Sequence, residues 1–223
     1  MRESLTLTAE DGHRLSAYRV APAGQPRGGL VIVQEIFGVN PHIQKVCDGF
    51  AADGYVALAP ALFDRVERGI MLGYSQDDLE RGRSIRGKVD MGDMVKDVRA
   101  AVRALAAAGL QVGVVGYCMG GTLAWLAATR IEGVAAAVGY YGGGIAAAVE
   151  ERPRCPVLLH FGETDASIPA EQYQRVMAAH PAIPVHIYPA GHGFNCDERA
   201  SYHAPSATLA RTRTLEFLRR HVG

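Results

Sequence analysis

The chain has 223 residues, 48% hydrophobic and 21% charged, which suits a globular domain and excludes a disordered or fibrous chain. Its 23 basic and 23 acidic residues cancel, with no basic cluster or like-charge tail, so no nucleic-acid partner is expected. No apolar run reaches the length of about 18 that a membrane span needs, and the polar opening Arg2-Glu3-Ser4 leads into no signal-type stretch. The expectation is therefore a cytoplasmic protein with no membrane partner.

Residues 4–9 alternate apolar and polar, Glu10-Asp11-Gly12 is a turn signal, and residues 13–20 read as the returning strand of an antiparallel hairpin. A Pro/Gly-rich loop over 21–29 follows. Residues 30–34 then form a short, nearly all-apolar run suited to a strand buried on both faces. Asn40-Pro41 is a helix start, with Asn as cap and Pro in the first turn, and Gly54 ends that helix after Asp53. Residues 55–59 are the next strand. The stretch 64–90 is charged, contains glycine and fits no element cleanly; it is a candidate lid or substrate-lining excursion.

Residues 93–108 place Met94, Val98, Ala101, Val102 and Leu105 on one helical stripe, closed by Gly109. A strand over 111–115 leads into the glycine-rich turn 116–121 and a helix to about residue 130. Segments 134–138, 157–160, 169–179 and 185–188 continue the alternation, and residues 206–221 form a closing amphipathic helix. Alternation of this kind implies one domain built on a mostly parallel sheet with helices on both faces. The default oligomeric state is a monomer.

The four cysteines, Cys47, Cys118, Cys155 and Cys196, show no CxxC spacing, and no ligand cluster suggests a metal or organic cofactor. Cys118 stands apart. Gly116-Tyr117-Cys118-Met119-Gly120 has the G-x-nucleophile-x-G spacing of a nucleophile elbow, with strand before and helix after. Side chains two residues either side of the nucleophile would collide there, and the helix N-terminus behind it favours a thiolate. The competing reading is a buried structural cysteine in a glycine-rich turn.

A base is needed at another strand end, and His192, in Pro189-Ala190-Gly191-His192-Gly193, follows the strand ending at Tyr188. His160 reads as a core residue; His13, His42, His180, His186, His203 and His221 read as solvent-facing. Asp165, just after the strand ending near His160, can orient an imidazole, with Glu163 as its rival and a plain turn or cap role as the alternative. The order nucleophile, acid, base is the one α/β-hydrolases use.

With these residues placed, the chain resembles the dienelactone hydrolase family. The matching pieces are residues 34–40 (QEIFGVN), Gly116-Tyr117-Cys118, Gly139-Tyr140-Tyr141-Gly142, Gly162 to Asp165 with Pro169, and Gly191-His192 with Phe194. The resemblance implies an α/β-hydrolase fold of about eight strands and a Cys118-His192-Asp165 triad. It also implies an oxyanion hole from the backbone amides of Ile36 and Met119, and an acid, Glu35, that contacts the nucleophile and helps control its ionisation when substrate binds. From the residues alone, Glu35 at the end of an apolar strand is either a buried functional acid or an exposed strand-end residue.

The family's best-known substrates are small enol lactones bearing a carboxylate that arginines hold. Here Cys196 stands four residues after His192, where the family pattern has arginine, and Arg83 and Arg86 replace expected aromatics. Arg81, Tyr140 and Phe37 are the candidates for substrate contact, and Arg81, Arg83 and Arg86 either bind an anion or form a solvated helix face.

The expected reaction is hydrolysis of an activated ester or lactone through a thioester on Cys118. The rival readings are a redox-responsive or binding protein that uses Cys118 without hydrolysis, and an acyltransferase.

Overall fold

A computed structural model describes residues 2–223. Eight strands form one sheet in the order β1-β2-β4-β3-β5-β6-β7-β8. The first two, β1 (Arg2–Thr8) and β2 (Arg14–Val20), pair antiparallel around the Glu10-Asp11-Gly12 turn, and β2 pairs antiparallel with β4 (Tyr55–Pro60). All later pairings are parallel: β3 (Gly28–Val33) with β4 and β5 (Val112–Tyr117), then β6 (Val134–Tyr140), β7 (Val157–Gly162) and β8 (Val185–Tyr188). Every residue of β3, β4, β5 and β7 is buried, as expected where helices cover both faces of a parallel sheet. This is the α/β-hydrolase architecture that the alternation and the resemblance implied.

The helices begin where the sequence offers caps. The side chain of Asn40 accepts the Ile43 amide at the start of α1 (Pro41–Ala52). Asp90 caps α3 (Met91–Ala107), two residues earlier than its apolar stripe suggests. The stretch over 64–90 is more ordered than its composition implies. It opens in a short 3-10 turn, Leu62–Arg65, which Arg65 pins to buried Asp97 of α3 by two bonds of 2.7 and 2.8 Å. It continues into α2 (Gln76–Arg86), which has a complete capping box between Ser75 and Asp78. Polar side chains dominate α2, so it lacks the apolar periodicity by which helices are read, and its Ser-x-x-Asp start was the one signal available.

Three further helices complete the chain: α4 (Met119–Arg130), α5 (Ala170–Ala179) and α6 (Ala204–His221). Among the described residues, no helix is long and apolar enough to cross a membrane. Of the histidines read as solvent-facing, His42 is instead buried, because α1 turns it towards the loop after β8, where its Nδ1 meets Asp197 at 3.1 Å. The other five are half-buried.

Candidate active site

The carboxyl ends of the parallel strands bring the chemistry together, as open α/β sheets do. Strand β5 runs through Tyr117 and α4 starts at Met119, leaving Cys118 alone at the bend with φ 55° and ψ −116°. A non-glycine residue in that region is strained, and such strain persists only where the surroundings enforce it. The glycines show how. A Cβ on Gly116 would lie 1.8 Å from the Gly120 carbonyl oxygen, and one on Gly120 would lie 2.3 Å from the Val33 carbonyl oxygen. Strand, bend and helix are therefore in backbone contact, and the bend turns the Cys118 side chain into the cleft.

The loop after β8 carries His192, whose Nε2 lies 3.1 Å from Cys118 Sγ. Its Nδ1 lies 2.7 Å from Oδ2 of Asp165, which the loop after β7 holds in the interior. Asp165 is fixed in turn by the Ser167 amide, which donates to its Oδ1 at 2.8 Å. The rival acid, Glu163, is exposed. Burial by itself would lower the His192 pKa, but hydrogen bonds and charge from Asp165 and Cys118 outweigh it and push it up to about 10. Both partners therefore favour the charged form of the imidazole that faces the sulfur.

A cavity of about 370 Å³ opens over Cys118 and His192. Ile36 and Phe37 from the loop after β3 line it, with Met119 from the first turn of α4. The Met119 amide is one of those that a helix start leaves without an intrahelical acceptor. Leu79, Arg83 and Arg86 of α2 form another wall, and Arg199 completes it. The stretch with no clear reading in the sequence is therefore part of the cavity. It is tied down by Asn40, which donates to the Leu72 carbonyl and to the Tyr74 hydroxyl, each at 3.0 Å.

Two expected contacts fall elsewhere. Arg81 does not face the cavity: it is exposed and pairs with Glu67 at 2.6 Å, because it sits on the outer side of α2 from Arg83 and Arg86. Tyr140 is also not a substrate contact. It is fully buried behind the site, bonded to Thr214 at 2.7 Å and stacked on Tyr117. Its neighbour Tyr141, in a left-handed conformation at φ 39°, packs on the His192 ring with centroids 5.1 Å apart. Glu35 is buried rather than exposed at its strand end, and its Oε1 accepts a hydrogen bond from Arg199 at 3.2 Å.

Arg199 is the residue the sequence reading missed. It lies seven positions after His192 rather than four, and only the packing of its loop against Phe37 and Tyr74, 5.7 and 6.0 Å from the guanidinium, brings it to the cavity.

The protein-family model described as the dienelactone hydrolase family matches residues 15–222. A carboxymethylenebutenolidase of Pseudomonas putida is 36% identical over 98% of this chain and 96% of its own length. One from Pseudomonas sp. strain P51 is 37% identical over 99% and 96%. Among solved structures, a Klebsiella pneumoniae protein assigned provisionally as a dienelactone hydrolase superposes with a TM-score of 0.85 at 28% identity, covering 99% of this chain and all of that one. At 18% identity, the dienelactone hydrolase of Anabaena variabilis shares the fold, with a TM-score of 0.74.

Proposed function

The chain belongs to the dienelactone hydrolase family, and so is a hydrolase of small esters or lactones; within that class we propose that it works by cysteine nucleophilic catalysis on an activated ester or lactone bearing an anionic group. One observation carries the reading: a strained cysteine at a helix N-terminus, 3.1 Å from an imidazole whose other nitrogen is held at 2.7 Å by a buried carboxylate.

In the proposed reaction, the Cys118 proton rests on His192 and the thiolate attacks the substrate carbonyl. The amides of Ile36 and Met119 stabilise the oxyanion, an interaction whose loss typically costs about 10²–10³ in rate. The tetrahedral intermediate collapses to a thioester on Cys118 as His192 Nε2 donates its proton to the departing oxygen. Asp165 keeps the imidazole in the orientation that permits this. His192 then takes a proton from water, the hydroxide adds to the thioester, and the thiolate leaves with the acid product released.

A thiolate is itself a good leaving group. Attack on a carbonyl with a poor leaving group therefore collapses backwards, which favours enol lactones, activated esters and thioesters over amides. Arg83, Arg86 and Arg199 around one small cavity, with Glu35 offsetting Arg199, leave positive charge for a substrate carboxylate. The carboxymethylenebutenolidase relatives, by their name, act on such a carboxylate-bearing lactone.

The test is a panel of p-nitrophenyl esters and enol lactones with wild type, Cys118→Ala and His192→Ala. Turnover lost in both variants supports the mechanism; turnover retained in either refutes it. Product analysis with added alcohols or amines separates hydrolysis from acyl transfer.

A further inference from the structure

Behind the cavity, three side chains from separate segments meet in the interior: Glu35 from the loop after β3, His42 from the first turn of α1, and Cys196 from the loop between β8 and α6. One ligand-type atom from each lies within 4.8 Å of the other two. Two of these side chains are incomplete. Glu35 Oε2 and His42 Nε2 are buried and have no hydrogen-bond partner. Native interiors rarely leave polar atoms in that condition unless a ligand, ion or water completes them.

The orientation of His42 is specific as well. Its Nδ1 is engaged by Asp197 Oδ1 at 3.1 Å, a carboxylate to which it donates its N–H, and Nε2 is left buried with a free lone pair. A carboxylate behind one nitrogen of an imidazole is how metal-binding histidines are held.

We propose that Glu35, His42 and Cys196 form a binding site for a divalent transition-metal ion of the zinc type, beside the Cys118 centre and joined to its cavity wall by the Glu35–Arg199 pair.

The donor set selects the metal. One oxygen, one imidazole nitrogen and one sulfur suit a borderline ion such as Zn²⁺, whereas Mg²⁺ and Ca²⁺ take oxygen ligands. Tetrahedral bonds of about 2.0–2.3 Å set ligand atoms roughly 3.3–3.8 Å apart. Atoms now within 4.8 Å of one another would close by up to about 1–1.5 Å on binding.

Cys196 binds as thiolate, its proton passing to bulk water, so carboxylate and thiolate together neutralise the ion. Water fills the fourth position. Glu35 keeps its bond from Oε1 to Arg199 and offers the free oxygen to the metal. His42 also lines a cavity of about 190 Å³ with Lys45, Asp197 and Arg211, on a side of the ring away from the cavity that holds Cys118. The site stands whether or not the reaction proposed for Cys118 is correct.

The test uses the full chain carrying Cys118→Ser, so that the catalytic thiol cannot serve as a ligand, kept reduced with a phosphine. Co²⁺ is the probe. The expected result is a near-ultraviolet thiolate-to-cobalt charge-transfer band that saturates at one Co²⁺ per chain, is bleached by Zn²⁺ and is absent when Cys196→Ser is added. Asp197→Asn, at a half-exposed position that leaves the interior intact, should weaken Co²⁺ binding by about 10–100-fold. No band at saturating Co²⁺, a band that survives Cys196→Ser, or unaltered affinity in Asp197→Asn overturns the site and leaves a water-bridged polar cluster in its place.

Discussion

Adding one methyl group at Gly116 tests whether the bend at Cys118 is built as described. In Gly116→Ala the new carbon would lie 1.8 Å from the Gly120 carbonyl oxygen, 2.2 Å from its carbon and 2.9 Å from the Gly121 amide nitrogen. Real Cβ contacts do not fall below 3.0 Å, so β5 and α4 must part by about 1.2 Å, and both sides of the contact are buried backbone with no flexible end to give way. Overpacking of this kind costs about 1–3 kcal/mol. For a chain of this size that lowers Tm by about 2–12 °C, at roughly 2–4 °C per kcal/mol.

Activity falls further than stability. The sulfur rides on the displaced bend, and misplacement of a reacting group by about 1 Å costs on the order of 10²-fold. Thermal unfolding followed by circular dichroism and kcat/KM on an activated ester measure the two effects. Gly24→Ala is the control, since a Cβ there meets nothing within 4 Å. Wild-type Tm and turnover in Gly116→Ala would refute the argument.

Other perturbations separate the remaining roles. Arg199→Met should raise KM for carboxylate-bearing lactones far more than for neutral p-nitrophenyl esters. It should also destabilise the fold by about 3–5 kcal/mol, because Glu35 is left buried and unpaired, and Glu35→Gln added to it should restore part of that loss in a double-mutant cycle. Thr214→Val removes the partner of the Tyr140 hydroxyl at 2.7 Å and of His160 Nε2 at 3.1 Å. Each orphaned group costs about 1–3 kcal/mol. Tm should drop, while turnover stays near wild type because neither residue lines the cavity.

The His192 pKa, pushed up to about 10 by Asp165 and Cys118 against the effect of burial, lies above its ordinary 6.5. The stability it contributes is therefore fully present below pH 6.5 and lost as the pH rises towards 10. Tm measured across that range should fall more for wild type than for His192→Gln; parallel curves would contradict the ion pair.

Most of the sheet and the meeting of Cys118, His192 and Asp165 could be read from the sequence because the signals are local. Buried parallel strands are short apolar runs, and the elbow is a five-residue pattern whose glycines answer to contacts across one bend. What escaped has a physical reason in each case. Helix α2 is polar on most of its surface, so its role as a cavity wall through Leu79, Arg83 and Arg86 depends on tertiary anchoring by Asn40 and Arg65. Tyr140 and Tyr141 are adjacent and chemically alike; the left-handed turn at Tyr141 decides which one meets His192. Cys196 stands where the family pattern has arginine, and here Arg199 reaches Glu35 from three positions further along the loop. His42 lies in the first turn of a helix, where no neighbour in the sequence announces Asp197.

The claim that Cys118 is the acylated nucleophile is tested most directly by intact-mass spectrometry of enzyme quenched in acid during turnover of an activated lactone or ester, followed by peptide mapping. The account predicts a single acyl adduct on the peptide containing Cys118, formed in the pre-steady state and absent in Cys118→Ala. An adduct on another residue, or full turnover by Cys118→Ala with no adduct, would contradict it.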